Sequence, residues 1–301
     1  MKNKKVFILA NPSSGKKEAE KYAKQAEKQY QEQNWQTTLQ FTQEKADVSR
    51  FTKIACRKKY NTLIALGGDG TISELINALK GEKNKPTVGI IPTGTVNNVA
   101  QGLGIATDPD QALKQLSDST ELVSDVGEIN DRLFVSSVSA GTIPETAWEV
   151  SAEEKEKLGP LAYFAEGLKS LNKQEDYSVE LKFDGQKPIE LDLTLLIIGV
   201  SSSILGIDSF FENAQYNDGK LHLFCLKQGK LSEKFMTFSR VLTNHEITNN
   251  DDIAFATTFR EVTIRLKKDD LHVALDGEKG PSFPLTIKVI PDFVTFLLAN
   301  N

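Results

Sequence analysis

A short apolar run, a glycine-rich turn and a helical pattern follow one another in residues 63–79. Residues 62–66 are apolar and end at glycine, which is typical of a strand buried on both faces of a parallel sheet. Beyond the turn, apolar side chains recur at helical spacing; they are Ile72, Leu75, Ile76 and Leu79. The turn is therefore predicted at the carboxyl end of a strand, where open α/β sheets bind their ligands.

The turn combines backbone donors with one carboxylate. Its residues are Gly67, Gly68, Asp69, Gly70 and Thr71. Glu74 lies three residues after Thr71 and completes a capping-box pattern at the helix start. Glycine lets a ligand approach the backbone closely, and a helix N-terminus offers unpaired N–H groups that suit a phosphate. Asp69 would repel a phosphate unless it held a metal or steered a water, so the turn predicts a nucleotide with Mg²⁺. The same letters are also ordinary turn chemistry.

Two further strand, turn and helix units repeat this arrangement. Residues 6–10 predict the first buried strand, and the polar turn NPSSGK (11–16) and a helix at 17–33 follow it. Residues 86–92 predict another buried strand, which is followed by the turn TGTVNN (93–98) and by a helix that contains Val99, Leu103 and Ile105. Small polar donors in such turns suit nucleotide phosphates or a base edge, although NPSSG is also a common structural turn.

The remaining elements of the first half complete an alternation of strands and helices. A strand is predicted at 39–41, with Thr42 at its end, and a helix at 46–59. Strand, helix, strand, helix, strand implies a parallel sheet with right-handed crossovers. The three polar turns should then lie along one edge of the sheet, where Thr42 could also contact a nucleotide.

Beyond about residue 125 the pattern changes to short β-rich runs. These runs are 133–138, 177–183, 191–200, 221–227, 262–266, 271–275 and 285–289. Their alternation and the turns between them predict antiparallel sheets packed as a sandwich. Helical patterns at 162–171 and 232–243 interrupt the strands, and residues 293–298 are apolar again.

Composition narrows the class of protein. The 301 residues allow one large or two ordinary domains, and a net charge of -5 argues against a protein that coats nucleic acid. The two cysteines are far apart and fit a reducing cytosol. The lysines and apolar residues at the start imitate a signal peptide, but the apolar run stops at Pro12. No stretch approaches the roughly 20 apolar residues of a membrane span, so we expect a soluble protein.

The motifs NPSSGK, GGDGTISELINAL and GIIPTGTVNNVAQGLGI resemble the catalytic domain of the diacylglycerol kinase family. The downstream segments DVGEINDRLFVSSVSAGT, LGPLAYFAEGL, NAQYNDGKLHLF and HVALDGEKG stand in the order of that family, and the soluble enzymes of Gram-positive bacteria are the nearest likeness. GGDGT is shared more distantly with NAD kinases and phosphofructokinases. The resemblance implies an NAD-kinase-like α/β domain at 1–125 with the tail 290–301, and an inserted antiparallel β-sandwich lipid-substrate domain at 126–289.

The turns and the resemblance together predict where ATP·Mg²⁺ binds. The nucleotide contacts are predicted at Asn11, Pro12, Ser13, Ser14, Gly15, Lys16, Thr42, Gly67, Gly68, Gly70, Thr71, Glu74, Thr95 and Asn98. In the family, the residue that matches Glu278 is the general base. Asp69, Asp125 and Asp276 would organise the metal and its waters, and Lys16 would help to neutralise phosphate. A strand-end turn is the local alternative for Asp125, which is assigned through the Asp-x-Gly pattern.

Two acidic turns of the second half also have structural explanations. In 217–220 (NDGK) hairpin chemistry is sufficient, but the family counterpart holds a structural Mg²⁺ through groups that match the Asp218 side chain and the carbonyls of Gln215 and Lys220. Asp276 and Glu278 also suit a hairpin turn. Two carboxylates this close are costly if they are buried together, and one of them would then titrate near neutrality.

One difference from the family pattern leaves two function classes open. Relatives carry Asp and, three residues on, Arg where this chain has Asn98 and Gln101, so a carboxylate and its compensating cation are both absent. A glycine-rich stretch of relatives is reduced to Leu205-Gly206-Ile207. The first class is an ATP- and Mg²⁺-dependent kinase of diacylglycerol or a related lipid, and the second is a nucleotide-binding lipid sensor or carrier. NAD kinase is discounted, because the later motifs follow the lipid-kinase order.

The expected partner is a membrane lipid reached from the cytosolic side by a cytoplasmic protein bound peripherally to the membrane. Lysines at 16, 17, 21, 24 and 28 could form a basic helical face for anionic headgroups, although the glutamates among them fit a plain solvated face better. No nucleic-acid partner is expected. Analogy with the family suggests a homodimer formed through the β domain.

Overall fold

Met1–Ser124 and Asp292–Asn301 form one unit of the chain, and Asp125–Pro291 forms the other. The structure is a computed structural model that describes residues 4–14, 18–95, 97–141, 177–202, 204, 210–242, 252–267 and 271–300. The helix predicted at 162–171 lies outside these ranges. Within them, no helix has the length and apolar character needed to cross a membrane.

The first unit is a parallel sheet whose strands alternate with helices. Its elements are β1 (Lys5–Ala10), α1 (Ala19–Glu32), β2 (Gln36–Phe41), α2 (Lys45–Arg57), β3 (Thr62–Gly67), α3 (Asp69–Ala78), β4 (Thr87–Pro92), α4 (Asn98–Gly102) and α5 (Pro109–Gln115). The carboxyl-terminal part of the last strand, β15 (Leu285–Ala299), pairs with β4. The strand order is β15, β4, β3, β1, β2, and these neighbours are parallel.

Helices cover this sheet on both faces, which is why β1 and β3 are apolar at almost every position. Ile8 belongs to a core cluster with Tyr22 and Ala26 of α1. Its neighbour Phe7 points the other way, as the two-residue period of a strand requires. The Phe7 ring lies 6.1 Å from the ring of Phe51 in α2.

Two local predictions for the first unit are wrong. The capping box does not form, because α3 begins at Asp69 with Gly68 as its N-cap, and Thr71 already lies inside the helix with its N–H donated to the Gly68 carbonyl at 2.9 Å. The helix α4 ends at Gly102, so Leu103 and Ile105 follow the helix instead of lying in it.

The second unit is built of antiparallel strands with one described helix. It contains the end of β5 (Ser119–Ile129), the start of β15, and β6 (Arg132–Phe134), β7 (Ser137–Gly141), β8 (Tyr177–Phe183), β9 (Ile189–Gly199), β10 (Leu221–Lys227), α6 (Leu231–Leu242), β11 (Ala254–Phe259), β12 (Glu261–Leu266), β13 (His272–Leu275) and β14 (Glu278–Ser282). The first half of β9 pairs with β8, and its second half lies between β7 and β10. The predicted fold class, a parallel α/β domain with an antiparallel β-sandwich, is confirmed.

Two predicted strands of the second half have different bounds. The run 133–138 is two strands, β6 and β7, because the backbone N–H groups of Val135 and Ser136 turn aside to donate to the Asp276 carboxylate. The runs 285–289 and 293–298 are parts of the single strand β15, which passes from the second unit into the first. A period-2 pattern cannot reveal a bend or a continuation of this kind.

Candidate active site

The polar turns of the first unit lie side by side at the carboxyl ends of β1, β3 and β4. The Asn11 N–H donates to the Leu66 carbonyl at 2.9 Å, and the Thr93 N–H donates to the Gly67 carbonyl at 3.0 Å. Thr42 is held at the end of β1 in the same way, by its N–H to the Ala10 carbonyl at 2.9 Å. The structure therefore brings together the turns that the sequence predicted along one sheet edge.

A hydroxyl contact joins the first turn to the third. The Ser14 hydroxyl donates to the Asn11 carbonyl at 2.8 Å and lies 2.6 Å from the Thr93 hydroxyl. Because the Ser14 proton is used on Asn11, the Thr93 hydroxyl is the donor in this second contact. The Asn11 side-chain oxygen accepts from the N–H of Ser13 at 3.1 Å and from its hydroxyl at 2.7 Å. Pro12 lies within this turn, whereas Gly15 and Lys16 lie outside the described residues.

Asn97 closes the third turn. It adopts a left-handed backbone conformation with φ of 58°, and its amide side chain accepts from the Gly94 N–H and donates to the Gly94 carbonyl, both at 3.0 Å. Thr95 stands exposed inside this loop. Asn97 was not a predicted site residue, although asparagine is among the few residues that accept this conformation readily.

Asp69 binds the start of α4. Its two carboxylate oxygens accept hydrogen bonds from the N–H groups of Asn98 and Val99, each at 3.0 Å. A carboxylate at a helix N-terminus satisfies unpaired donors and complements the helix dipole. Burial nevertheless raises the pKa of Asp69 above its ordinary value, against the lowering effect of these hydrogen bonds. Asp69 thus fixes Asn98, the residue that departs from the family pattern.

The remaining predicted residues of the second turn lie at the start of α3. Gly70 and Thr71 are in its first turn, and Glu74 follows one turn later and is half-buried. The Thr71 side chain covers Gly67, where a Cβ would lie 2.4 Å from the Thr71 hydroxyl oxygen. Gly67 is therefore required by close packing.

In the second unit, Asp125 holds the 215–220 turn. Its N–H donates to the Tyr216 carbonyl at 2.6 Å, and its Oδ2 accepts from the Gly219 N–H at 2.7 Å. The glycine of its Asp-x-Gly pattern also has a structural reason, since a Cβ on Gly127 would lie 2.0 Å from the ring of Phe134 across the strand pair.

The turn that carries Asp218 uses its carboxylate internally. Oδ1 accepts from the Lys220 N–H at 3.0 Å, and Oδ2 accepts from the Gln215 N–H at 3.4 Å and from His222 Nε2 at 2.8 Å. The sequence did not single out His222, whose signal was only its position four residues after the aspartate.

A hairpin turn carries the predicted base. Asp276 and Gly277 have φ of 49° and 84°, and they link the paired residues Leu275 and Glu278, as in a type I′ turn. Asp276 is buried, and its carboxylate accepts from the N–H groups of three successive residues at 3.0, 2.8 and 3.1 Å. These residues are Val135, Ser136 and Ser137.

Glu278 lies in a different environment from Asp276. Its side chain is 39% exposed, and Oε2 lies 3.6 Å from NH2 of Arg132. Only one of the two carboxylates is therefore buried, since the turn directs Asp276 inward and leaves Glu278 half-exposed. Arg132 was not predicted, although the preceding Asn-Asp pair, with φ of 44° and 70°, is itself a hairpin signal that places Arg132 at the start of β6.

The acidic side chains and carbonyls of these turns differ in how well they suit a metal ion. Among the described residues, no group of three or more Asp, Glu, His or Cys side chains could hold a metal ion. Mg²⁺ commonly keeps several waters and uses only one or two carboxylates, so Asp218 with the carbonyls of Gln215 and Lys220 fits such an ion chemically.

Comparisons with known proteins agree with this architecture. Residues 5–129 match the family model described as diacylglycerol kinase catalytic domain, and residues 136–298 match that described as YegS C-terminal NAD kinase beta sandwich-like domain. The chain is 29% identical over 282 residues to a diacylglycerol kinase of Bacillus subtilis (strain 168), covering 93% of this chain and 92% of the relative. It is 26% identical over 283 residues to a diacylglycerol kinase of Staphylococcus aureus (strain bovine RF122 / ET3-1), covering 93% and 88%.

Solved structures share the fold. A diacylglycerol kinase from Bacillus anthracis str. Sterne has a TM-score of 0.78 at 22% identity, covering 100% of this chain and 98% of that chain. An NAD kinase from Archaeoglobus fulgidus, solved in complex with ATP, has a TM-score of 0.52 at 13% identity, covering 99% and 94%. The class is therefore that of the two-domain lipid kinases, with an NAD-kinase-like α/β domain and a β-sandwich. The chain belongs to the diacylglycerol kinase family.

Proposed function

We propose that this protein uses ATP and Mg²⁺ to phosphorylate the free hydroxyl of diacylglycerol or a related lipid, which forms phosphatidic acid from diacylglycerol. The names of the relatives support the lipid class, and the ATP complex of the NAD kinase with the same fold supports the nucleotide. The observation that carries the proposal is Glu278, a half-exposed carboxylate at the end of a rigid hairpin turn.

The first unit would bind the nucleotide through the three adjoining turns. The N-terminus of α3 and the glycines before it offer N–H groups to phosphate, and Thr95 offers an exposed hydroxyl, whereas the Ser13 and Ser14 hydroxyls would first have to leave Asn11. Asp69 fixes α4 next to these donors. Phosphoryl transfer depends mainly on placement and charge neutralisation, so rigid turns are the main contribution that this unit would make. Bound Mg²⁺ would supply part of that neutralisation.

The second unit would supply the base. Glu278 takes the proton of the acceptor hydroxyl as the hydroxyl oxygen forms its bond to the γ-phosphorus of ATP. The bond from that phosphorus to the bridging oxygen breaks, and its electron pair leaves on ADP.

The test is the product of the reaction. Purified protein incubated with ATP, Mg²⁺ and diacylglycerol in mixed micelles should form phosphatidic acid, and Glu278→Gln should lower kcat at least a hundredfold while ATP still binds. A Glu278→Gln variant with full kcat would remove the base assignment. Phosphorylation of NAD in place of a lipid would refute the proposed substrate class.

Asn98 and Gln101 favour a second candidate, a nucleotide-binding lipid sensor or carrier with little catalysis. An amide at position 98 brings no negative charge to a metal, in contrast to the aspartate of relatives. ATP binding without turnover on a panel of lipid alcohols would support this candidate. Gain of activity in the double variant Asn98→Asp with Gln101→Arg would show that the two substitutions limit the reaction.

The substrate class implies a place of action. A diacylglycerol stays in a bilayer, so the protein would work from the cytosolic side as a peripheral membrane protein. Co-sedimentation with vesicles that contain diacylglycerol tests this part of the proposal. Recovery of all the protein in the supernatant would contradict it.

A further inference from the structure

The hairpin turn that carries Glu278 is attached twice to one neighbouring segment. Segment 132–137 provides the three N–H groups that hold the Asp276 carboxylate, and it also provides Arg132. The guanidinium of Arg132 contacts the two residues that follow the turn. Its NH2 lies 3.6 Å from Glu278 Oε2, and its NH1 donates to the Lys279 carbonyl at 3.4 Å.

The two attachments differ in burial, and this suggests different roles. Asp276 is buried and satisfies buried N–H groups, so its contacts stabilise the fold. The side chains of Arg132 and Glu278 are 38% and 39% exposed, and an ion pair this exposed contributes little to stability. Arg132 therefore has a charge and a fixed position next to the predicted base without a large structural role.

We propose that Arg132 is a positioning residue for Glu278, which restrains the carboxylate at the angle needed to meet the acceptor hydroxyl. This inference rests on the proposed function. Arg132 begins β6 directly after the tight turn Asn130-Asp131. This turn fixes the backbone position from which the Arg132 side chain reaches Glu278. The rotamers of a glutamate direct its carboxylate differently, and only some of them would point at the substrate.

The proposal predicts a loss of kcat without a loss of stability. Arg132→Ala should lower kcat about ten- to a hundredfold, because loss of alignment costs rate even where binding is intact. Its KM for lipid should change less than twofold and its Tm should stay within about 2 °C of the wild type. Arg132→Lys should recover part of the rate, and added guanidinium should partly rescue Arg132→Ala.

The matched control is Arg265→Ala. Arg265 pairs with Glu180 in the same unit, also with a nitrogen to oxygen distance of 3.6 Å, and its side chain is exposed. Its removal should leave kcat unchanged, which separates a specific effect of Arg132 from a general effect of losing a surface cation.

A double-mutant cycle distinguishes this inference from the proposed function. If Arg132 acts through Glu278, its removal in the Glu278→Gln background should cause no further loss of kcat. Equal losses of kcat from Arg132→Ala in both backgrounds, or none in either, would overturn the inference and leave Glu278 as the base. Full activity of Glu278→Gln alone would instead overturn the base assignment and the inference with it.

Discussion

The backbones of Gly68 and Gly94 meet so closely that a Cβ on Gly94 would lie 2.4 Å from the Cα of Gly68. These residues belong to the second and third turns of the candidate nucleotide site, and the contact keeps the two turns together. The same Cβ would lie 2.7 Å from the Asn97 side-chain oxygen that accepts the Gly94 N–H. Only glycine fits at position 94 without moving one of the turns.

Gly94→Ala should therefore separate the turns. Overpacking of this kind costs about 1–3 kcal/mol, and we expect ATP affinity measured by calorimetry to fall at least tenfold, with a lower Tm. The control is Gly104→Ala, because Gly104 has open space around its α-carbon and only a left-handed φ of 69°. That variant should lose about 1–2 kcal/mol of stability, because a Cβ disfavours the left-handed conformation, and should keep its ATP affinity. An unchanged ATP affinity in Gly94→Ala would contradict the assigned site.

The raised pKa of Asp69 predicts a pH dependence of stability. The folded protein holds a proton on this carboxyl at pH values where the unfolded chain, with a pKa near 3.8, has lost it. As pH rises from 3.8 through the folded pKa, this group therefore lowers the free energy of unfolding, and the loss is complete above the folded pKa.

Asp69→Asn removes this dependence. Tm measured from pH 4 to pH 7 for both proteins should show the wild type losing stability relative to the variant as pH rises. The lost acceptor in the variant adds a constant offset that does not depend on pH. The difference in Tm between the two proteins could instead stay constant with pH, or the wild type could gain stability relative to the variant as pH rises. Either result would show that burial does not destabilise the ionised Asp69 carboxylate.

Asp276 should contribute more to stability than any single exposed acidic residue. Asp276→Ala leaves three buried N–H groups without their acceptor, and each costs about 1–3 kcal/mol, so we expect a loss of about 3 kcal/mol or more in urea unfolding. Asp276→Asn should lose less, since asparagine accepts a left-handed backbone and keeps one acceptor oxygen. Asp184→Ala, at an exposed turn, is the control and should change stability by less than about 0.5 kcal/mol. Equal losses for Asp276→Ala and Asp184→Ala would refute the anchoring role.

The sequence was sufficient for the sheet edge and its three turns because their signals are local. A buried parallel strand is a short apolar run, and each turn follows its strand directly, so Asn11, Gly68 and Thr93 could be placed from their neighbours alone. The change to antiparallel strands after residue 125 could also be predicted, because the β-rich runs there are short and their apolar and polar positions alternate.

The hydrogen bonds that hold the Asp69 and Asp276 carboxylates could not be predicted, because they join segments that are far apart in the sequence. The Asp276 carboxylate binds N–H groups 139 to 141 residues away, and every residue has such groups, so no side-chain pattern marks them. Asp69 likewise binds N–H groups 29 and 30 residues further on. The sequence indicated Arg132 only as a cation next to an ordinary hairpin turn. The orientation of a carboxylate depends on packing that local pattern does not encode.

If the Asp218 turn binds the structural Mg²⁺ predicted for it, the ion should stabilise the folded protein. A cation bound only by the folded state raises stability by about 2.7 kcal/mol at a hundred times its Kd. In nucleotide-free protein, saturating Mg²⁺ should therefore raise Tm by several degrees, and Asp218→Asn should abolish the rise because it removes the carboxylate charge. Asp184→Asn should retain it. His222 already donates to Asp218 at 2.8 Å, so a wild-type Tm that does not respond to Mg²⁺ would mean that the imidazole, rather than a cation, holds this turn.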